Sequence, residues 1–578
     1  MKDQRSESHT PEWARAFFDT RDQMRGWIEE AVERHRSIAY RGGHDEGTFI
    51  SSWFGFHQLF GCPEAIDFAR YLRDGFARWS REHMTHGFYP EGEAHHQTEI
   101  FTFFLCRLWR VAPDDVTAEL IVDAAHHIGN WVDSVPDWYC HDEHRFLSWR
   151  IGSERVGSGA SAGYEVPDHF RLIQLALVAR EITNEQRYLD LATDYADRWA
   201  EAILGASESE FPTVIRSGDT EADREEVMKA IGAHHQSTSD LEGVEPHVPG
   251  GTVDVFLDLY EITGEQRYAD GARRICEALM PALADPYSNP PGALIARYRT
   301  ATGDRSLDGD VEERLRAGIE ETLAGLDGML RFLDQTRVSG YALAAARLYA
   351  SLSDNPFAEG LLDEYADQYE ELVGERPVTG TRAETPALIA EPLNRTPVAG
   401  IGKRNDMVRW GWESAAGALR PTHALPPPSL MLAYLIEGDD LPATRALQTV
   451  ATRMALARLS LRDGRDHGCG GTTVAAVASG HGRDGGYGNV TGALFPLAAG
   501  MVRRLCQEEP LVCYRQPNGR EHLPESVAAL VRSLPAAGAE VLLWNDAHEP
   551  VKVGIALRNT GWRTVELASR KATKLELP

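Results

Sequence analysis

One phrase occurs twice in this chain. Residues Glu181–Tyr188 read E-I-T-N-E-Q-R-Y and Glu261–Tyr268 read E-I-T-G-E-Q-R-Y, 80 residues apart. Each copy follows an apolar stretch with helical spacing and precedes another. Gly264 suits a left-handed helix C-cap, and Asn184 holds the same place in the other copy. The next helix opens on Glu-Gln-Arg-Tyr, with its acid near the positive end of the helix dipole. Tyr188, Leu191, Ala192, Tyr195 and Trp199 then recur at three- and four-residue steps, which is one helical face. A helix, turn, helix unit of this size cannot bury its apolar faces alone. It must stack on copies of itself.

Weaker copies follow the same template. His57–Trp79 contains F-G-C-P-E-A-I-D-F-A-R-Y, and Cys106–Trp131 contains V-A-P-D-D-V-T-A-E-L. The clear copies lie in Leu175–Ala202 and Val255–Ala282. Arg347–Glu371 carries S-D-N-P-F-A-E-G-L-L, and Ala433–Ala457 carries E-G-D-D-L-P-A-T-R-A-L. An apolar stretch at Ala493–Cys506 leaves room for a seventh. Six such hairpins resemble the (α/α)6 toroid of many glycoside hydrolases, some polysaccharide lyases and some sugar epimerases. The resemblance spans roughly residues 40–505 and rests on the repeat, not on a catalytic signature. It implies an all-α fold over residues 1–507. After it, Val541–Trp544, Val551–Leu557 and Thr564–Leu567 read as short strands, so residues 508–578 are expected as a small β-rich appendage.

The chain has 578 residues and a net charge of −28, which argues against a nucleic-acid surface or a polybasic membrane patch. No apolar run is long enough to span a bilayer. The first ten residues are polar, which gives the expectation of a cytoplasmic protein. Seven cysteines without a C-x-x-C read as free thiols. The G-A-S-A-G run at Gly159–Gly163 has no apolar strand before it, so it is not read as a nucleophile elbow.

In a toroid of hairpins the long connections lie at one end and carry the chemistry. Here they run at about 80–99, 133–171, 207–254, 285–341, 374–429 and 460–492. The first, H-M-T-H-G-F-Y-P-E-G-E-A-H-H-Q-T-E, offers His96 and Glu99 as an acid–base pair one helical turn apart. The second ends in G-Y-E-V-P-D-H-F-R, with Tyr164, Asp168, His169 and Arg171. Aligned at the repeat offset, Asp168 and His169 face Val248 and Pro249, so the scaffold does not require them. Trp149 and Arg150, and Arg409, Trp410, Trp412 and Glu413, suit sugar binding: aromatic faces stack on pyranose rings and Arg holds carboxylates. A Gly-rich stretch, Asp463–Asn489, offers further polar groups but no nucleotide-binding loop. His141 and His144 have a metal-like spacing without a nameable third ligand, so neither metal nor cofactor is assigned.

These loops favour a lyase acting on a uronate-bearing saccharide, which needs a His or Tyr base and a cation for the carboxylate. His169, Tyr164 and His96 are the expected acid–base residues, with Asp168 and Glu99 beside them. The alternatives are a glycoside hydrolase with paired carboxylates, a sugar epimerase or isomerase, and a non-catalytic sugar-binding repeat protein. A homo-oligomer is left open.

Overall fold

The structure is a computed structural model. It describes residues 10–36, 53–158, 162–207, 211–216 without 213, 244–280 without 245, 289–314 without 312, 366, 367, 370, 512–533, 538–557 and 560–578. The described part is largely helical, with a β region at the C-terminal end. The hairpins expected at Arg347–Glu371 and Ala433–Ala457, and the candidate seventh, lie outside the described residues apart from 366, 367 and 370.

After α1 (Glu12–His35) the helices pair as the repeat requires. The first pair is α2 (Trp53–Phe60) with α3 (Pro63–His83). The second joins α4 (Ala94–Glu99), a π-helical turn (Ile100–Leu105) and α5 (Cys106–Val111) to α6 (Asp115–Ala125). The third is α7 (Phe170–Thr183) with α8 (Gln186–Gly205). A short α9 (His247–Gly250) precedes the fourth, α10 (Thr252–Thr263) with α11 (Gln266–Leu279). The first members pack side by side: α2 on α5, α4 on α7, α7 on α10, and α10 on α12 (Asn289–Thr302). Of the second members, α8 packs on α11. In α8 the buried residues Tyr188, Leu191, Ala192, Tyr195, Ala196, Trp199, Ala200 and Ile203 form one stripe, as the spacing predicts.

From the threonine onward the repeated phrase builds the turn and the start of the next helix. Asn184 and Gly264 adopt left-handed backbone at φ 59° and 74°, and their N–H groups donate to Arg180 O and Tyr260 O at 2.8 Å. The Thr183 and Thr263 hydroxyls donate to Ala179 O and Leu259 O and accept the N–H of Glu185 and Glu265. The Gln side chains clip the first turn of the next helix by donating to Asp190 and Asp270. Arg and Tyr reach the preceding hairpin. Tyr188 meets Trp131 edge-on at 5.2 Å, and the Tyr268 hydroxyl donates to Asp197 at 2.6 Å.

A fifth copy corrects the sequence reading. The stretch about 285–341 was expected as a long connection, yet α12 lies inside it. Thr302-Gly303-Asp304 then repeats the turn. Gly303 has φ 70° and its N–H donates to Arg299 O; the Thr302 hydroxyl bonds Tyr298 O and receives Asp304 N–H. Leu307 is buried where the clear copies have Tyr.

The long connections form a thin β layer at the other end of the hairpins. β1 (Gly92–Glu93) pairs with β4 (Arg150–Ile151), β2 (Tyr139–Cys140) with β3 (Arg145–Phe146), and β5 (Tyr164–Glu165) with β6 (Ile215–Arg216). The C-terminal region carries β7 (Val512–Arg515), β8 (Val527–Ser533), β9 (Ala539–Asn545), β10 (Val551–Leu557), β11 (Arg563–Leu567) and β12 (Lys571–Leu577). They form two antiparallel sheets in the orders β11-β10-β7 and β12-β9-β8. These sheets pack on α1 and on the short-turn end of the first hairpin. Arg25 bonds Glu525 at 2.8 Å, and Leu523 N–H donates to Leu59 O at 2.7 Å. Among the described residues no helix is long and apolar enough to cross a membrane. Cys62, Cys106, Cys140, Cys276 and Cys513 are free thiols.

A β-carbon on Gly264 meets nothing within 4 Å, so only its backbone conformation resists substitution. Gly264→Ala is expected to cost about 1 kcal/mol, whereas Gly264→Asn, which copies Asn184, should come close to wild type. Chemical denaturation of the two variants measures the difference.

Candidate functional site

The π-helical turn widens the helix after Glu99 and so sets how α4 presents its side chains, a feature common at functional sites. The loop before α4 is fixed from within. The Gln97 amide accepts Tyr89 N–H at 2.8 Å and donates to Tyr89 O and to Ile151 O. β4 closes on this loop so tightly that a β-carbon on Gly152 would lie 2.4 Å from Pro90 O. The β1–β4 register places Glu93 opposite Arg150, and Ala94 N–H donates to Trp149 O. The third segment, Pro167–His169, enters α7 beside α4.

Three segments of two connections, about 80–99 and 133–171, thereby converge on one charged cluster. Glu93 Oε2 lies 3.2 Å from His96 Nδ1 and 3.6 Å from His95 Nε2. Its other oxygen lies 3.1 Å from Arg150 Nη1, while Arg150 Nε sits 3.2 Å from Glu91. His95 Nδ1 faces Asp168 Oδ2 at 3.4 Å. Behind them the Arg171 guanidinium lies 3.8 Å from Glu99 and 3.9 Å from Asp168 and donates to His95 O. Burial pushes His95 down to about 3 against the pull of Asp168, so it is neutral. Burial likewise lowers the Arg171 guanidinium, opposed by Asp168 and Glu99.

The expected residues divide by access to solvent. His96 keeps 27% of its side-chain surface and Arg150 keeps 35%. Asp168, Glu99 and Arg171 are buried beneath them. Tyr164 and Trp149 pack with Val166 and Val214 in a separate apolar cluster, which removes both as faces for a substrate. Arg409, Trp410, Trp412, Glu413 and the stretch Asp463–Asn489 lie outside the described residues. His141 and His144 turn to different partners, Gly129 O and Asp194.

His169 takes a different place from the one its sequence suggested. Its ring is fully buried and stacks on Phe146 at 4.6 Å. Nε2 donates to Ser148 O at 2.9 Å, and Nδ1 accepts Val166 N–H at 3.2 Å. Both nitrogens are therefore spent on the backbone. His247 does the same work in the next repeat, with Nε2 on Pro212 O at 2.7 Å. The comparison of His169 with Pro249 missed this because the equivalent histidine sits two residues earlier. Glu93 and His95 complete the cluster, although neither was among the expected site residues. The signal for them was the run Glu93-x-His95-His96, whose first member reaches back from a strand.

His96 turns Nδ1 to Glu93 and keeps Nε2 below the surface, while Arg150, 35% exposed, can meet an anion. Glu93, His95 and His96 also bring one ligand atom each within 4.8 Å of one another, a set able to hold a cation. Glu165 has its carboxyl pushed up to about 8 by burial, against the pull of Arg198, but it is sealed behind the Phe146 strand and cannot reach a substrate. Comparison of the chain with protein-family models, with curated proteins and with solved structures finds no match.

Burial lowers His169 and His247 from 6.5 to about 4. The unfolded chain then binds more protons than the folded one between these values, so stability rises with pH across that window. Full stability is expected above about pH 6.5, with a progressive loss as pH falls toward 4. Thermal midpoints recorded from pH 7.5 to 5 should fall, and His169→Gln should flatten the slope.

Proposed function

We propose that this chain is an enzyme acting on a uronate-bearing oligo- or polysaccharide, and that its hairpins close into an (α/α)6-type toroid around the substrate. The observation that carries this reading is the Glu93–His96 pair at 3.2 Å, with Arg150 on the other oxygen of Glu93. A carboxylate that bonds one imidazole nitrogen fixes the ring's tautomer and leaves the other nitrogen for proton transfer. In β-elimination His96, its ring turned so that the enclosed Nε2 meets the cleft, removes the proton on the carbon next to the uronate carboxylate. The electron pair forms a C=C bond, and the glycosidic oxygen leaves from the β carbon, taking back the proton that His96 removed. Arg150 meets the substrate carboxylate and stabilises the charge that builds on it during proton removal.

This assignment moves the base from His169 to His96. It also favours elimination over hydrolysis. Hydrolysis needs one carboxyl group held protonated in the cleft, yet Glu93, Glu99 and Asp168 each face a cationic or imidazole partner. A second reading rests on the same residues: a cation held by Glu93, His95 and His96 would polarise the substrate carboxylate instead.

A panel of uronate polysaccharides should give an unsaturated product, followed by its ultraviolet absorbance. His96→Ala is expected to lower the rate by about 100-fold or more. Reducing ends without unsaturated product would replace elimination with hydrolysis, and an unchanged rate in His96→Ala would dismiss the site. Loss of activity on chelation, restored by added metal, would favour the second reading.

A further inference from the structure

A second cluster lies away from Glu93 and has no part in the proposed reaction. His86 sits in the turn closed by the Thr85–Phe88 pair, at a left-handed φ of 54°. Asp123 lies on α6, and His127 follows four residues later in the turn after it. The three offer one ligand atom each within 4.8 Å of one another.

His127 is the informative member. It is 2% exposed and neither ring nitrogen has a hydrogen-bond partner. Leaving a buried polar group unsatisfied costs about 1–3 kcal/mol. Its ring lies 4.1 Å from the His86 ring, with Phe88 and Trp138 packed around it.

We propose that His86, Asp123 and His127 bind a divalent transition-metal cation of the zinc type. Two imidazoles and one carboxylate suit such an ion, with water in the remaining position. Calcium and magnesium prefer all-oxygen sites. His86 Nδ1 now lies 2.8 Å from Asp123 Oδ1, and Ser134 Oγ lies 3.2 Å from His86 Nε2. When the cation takes the place between His86 and Asp123, the imidazole proton moves to Nε2 and donates to Ser134. That outer bond fixes the tautomer a metal ligand needs. The bound ion pins the turn at His86 to α6 and steadies the loop that continues to Glu93. Its role is structural, and the site stands whether or not the saccharide reading does.

The test uses the full chain, stripped with a chelator and dialysed against cobalt(II) or zinc(II). Wild type should bind one equivalent at this site, show the visible absorption of nitrogen-ligated cobalt(II), and gain thermal stability with zinc. Asp123→Ala and His86→Ala alter exposed or half-exposed residues and should each lose that equivalent and the thermal gain. His96→Ala should keep both, which separates this site from the cluster at Glu93. Wild-type stoichiometry in Asp123→Ala and His86→Ala would overturn the proposal, as would a wild type that binds no cobalt.

Discussion

The left-handed turn between paired helices is the constraint on which the rest of the structure depends. At Asn184, Gly264 and Gly303 one residue with positive φ reverses the chain, and a threonine hydroxyl bridges the end of one helix to the start of the next. The reversal is tight, so the two helices of a hairpin lie against each other. All slack in the chain is thereby pushed to the opposite end. That is why the unusual residues of widely separated loops meet there.

What they build is a graded electrostatic cluster. Arg171, Glu99 and Asp168 sit in the interior, where unlike charges offset one another's loss of water. His95 stands neutral between that layer and Glu93. Glu93 then links the buried groups to His96 and Arg150, which reach solvent. The fully enclosed histidines, His169 and His247, serve the loops instead, each bonding a carbonyl that the thin β layer leaves unsatisfied.

Much of the helical order was legible because turn and stripe are local features. The phrase E-I-T-x-E-Q-R-Y marked two hairpins outright. The hairpin at Thr302-Gly303-Asp304 escaped because Arg305-Ser306-Leu307 stands where the clear copies have Gln-Arg-Tyr, whereas the turn physically needs only threonine, a residue tolerant of positive φ and an acid. Strands β9, β10 and β11 were visible from alternation and β-branched residues. Asp168, Arg171, Glu99 and His96 were picked out near the starts of helices and Arg150 as a sugar-binding residue, and they share one cluster. His169 and Tyr164 looked the same in sequence, and nothing local distinguishes an imidazole aimed at a carbonyl from one aimed at a cleft.

The sequence alone determined that this chain pairs helices through a repeated turn and ends in strands, since both follow from backbone preference and apolar spacing over a few residues. Only the tertiary structure decided which polar side chains meet. The register of Glu93 against Arg150, the reach of Asp168 to His95 and the isolation of His127 depend on how loops far apart in the chain are stacked. Burial, set by that stacking, decides which histidine is a scaffold and which is exposed for chemistry.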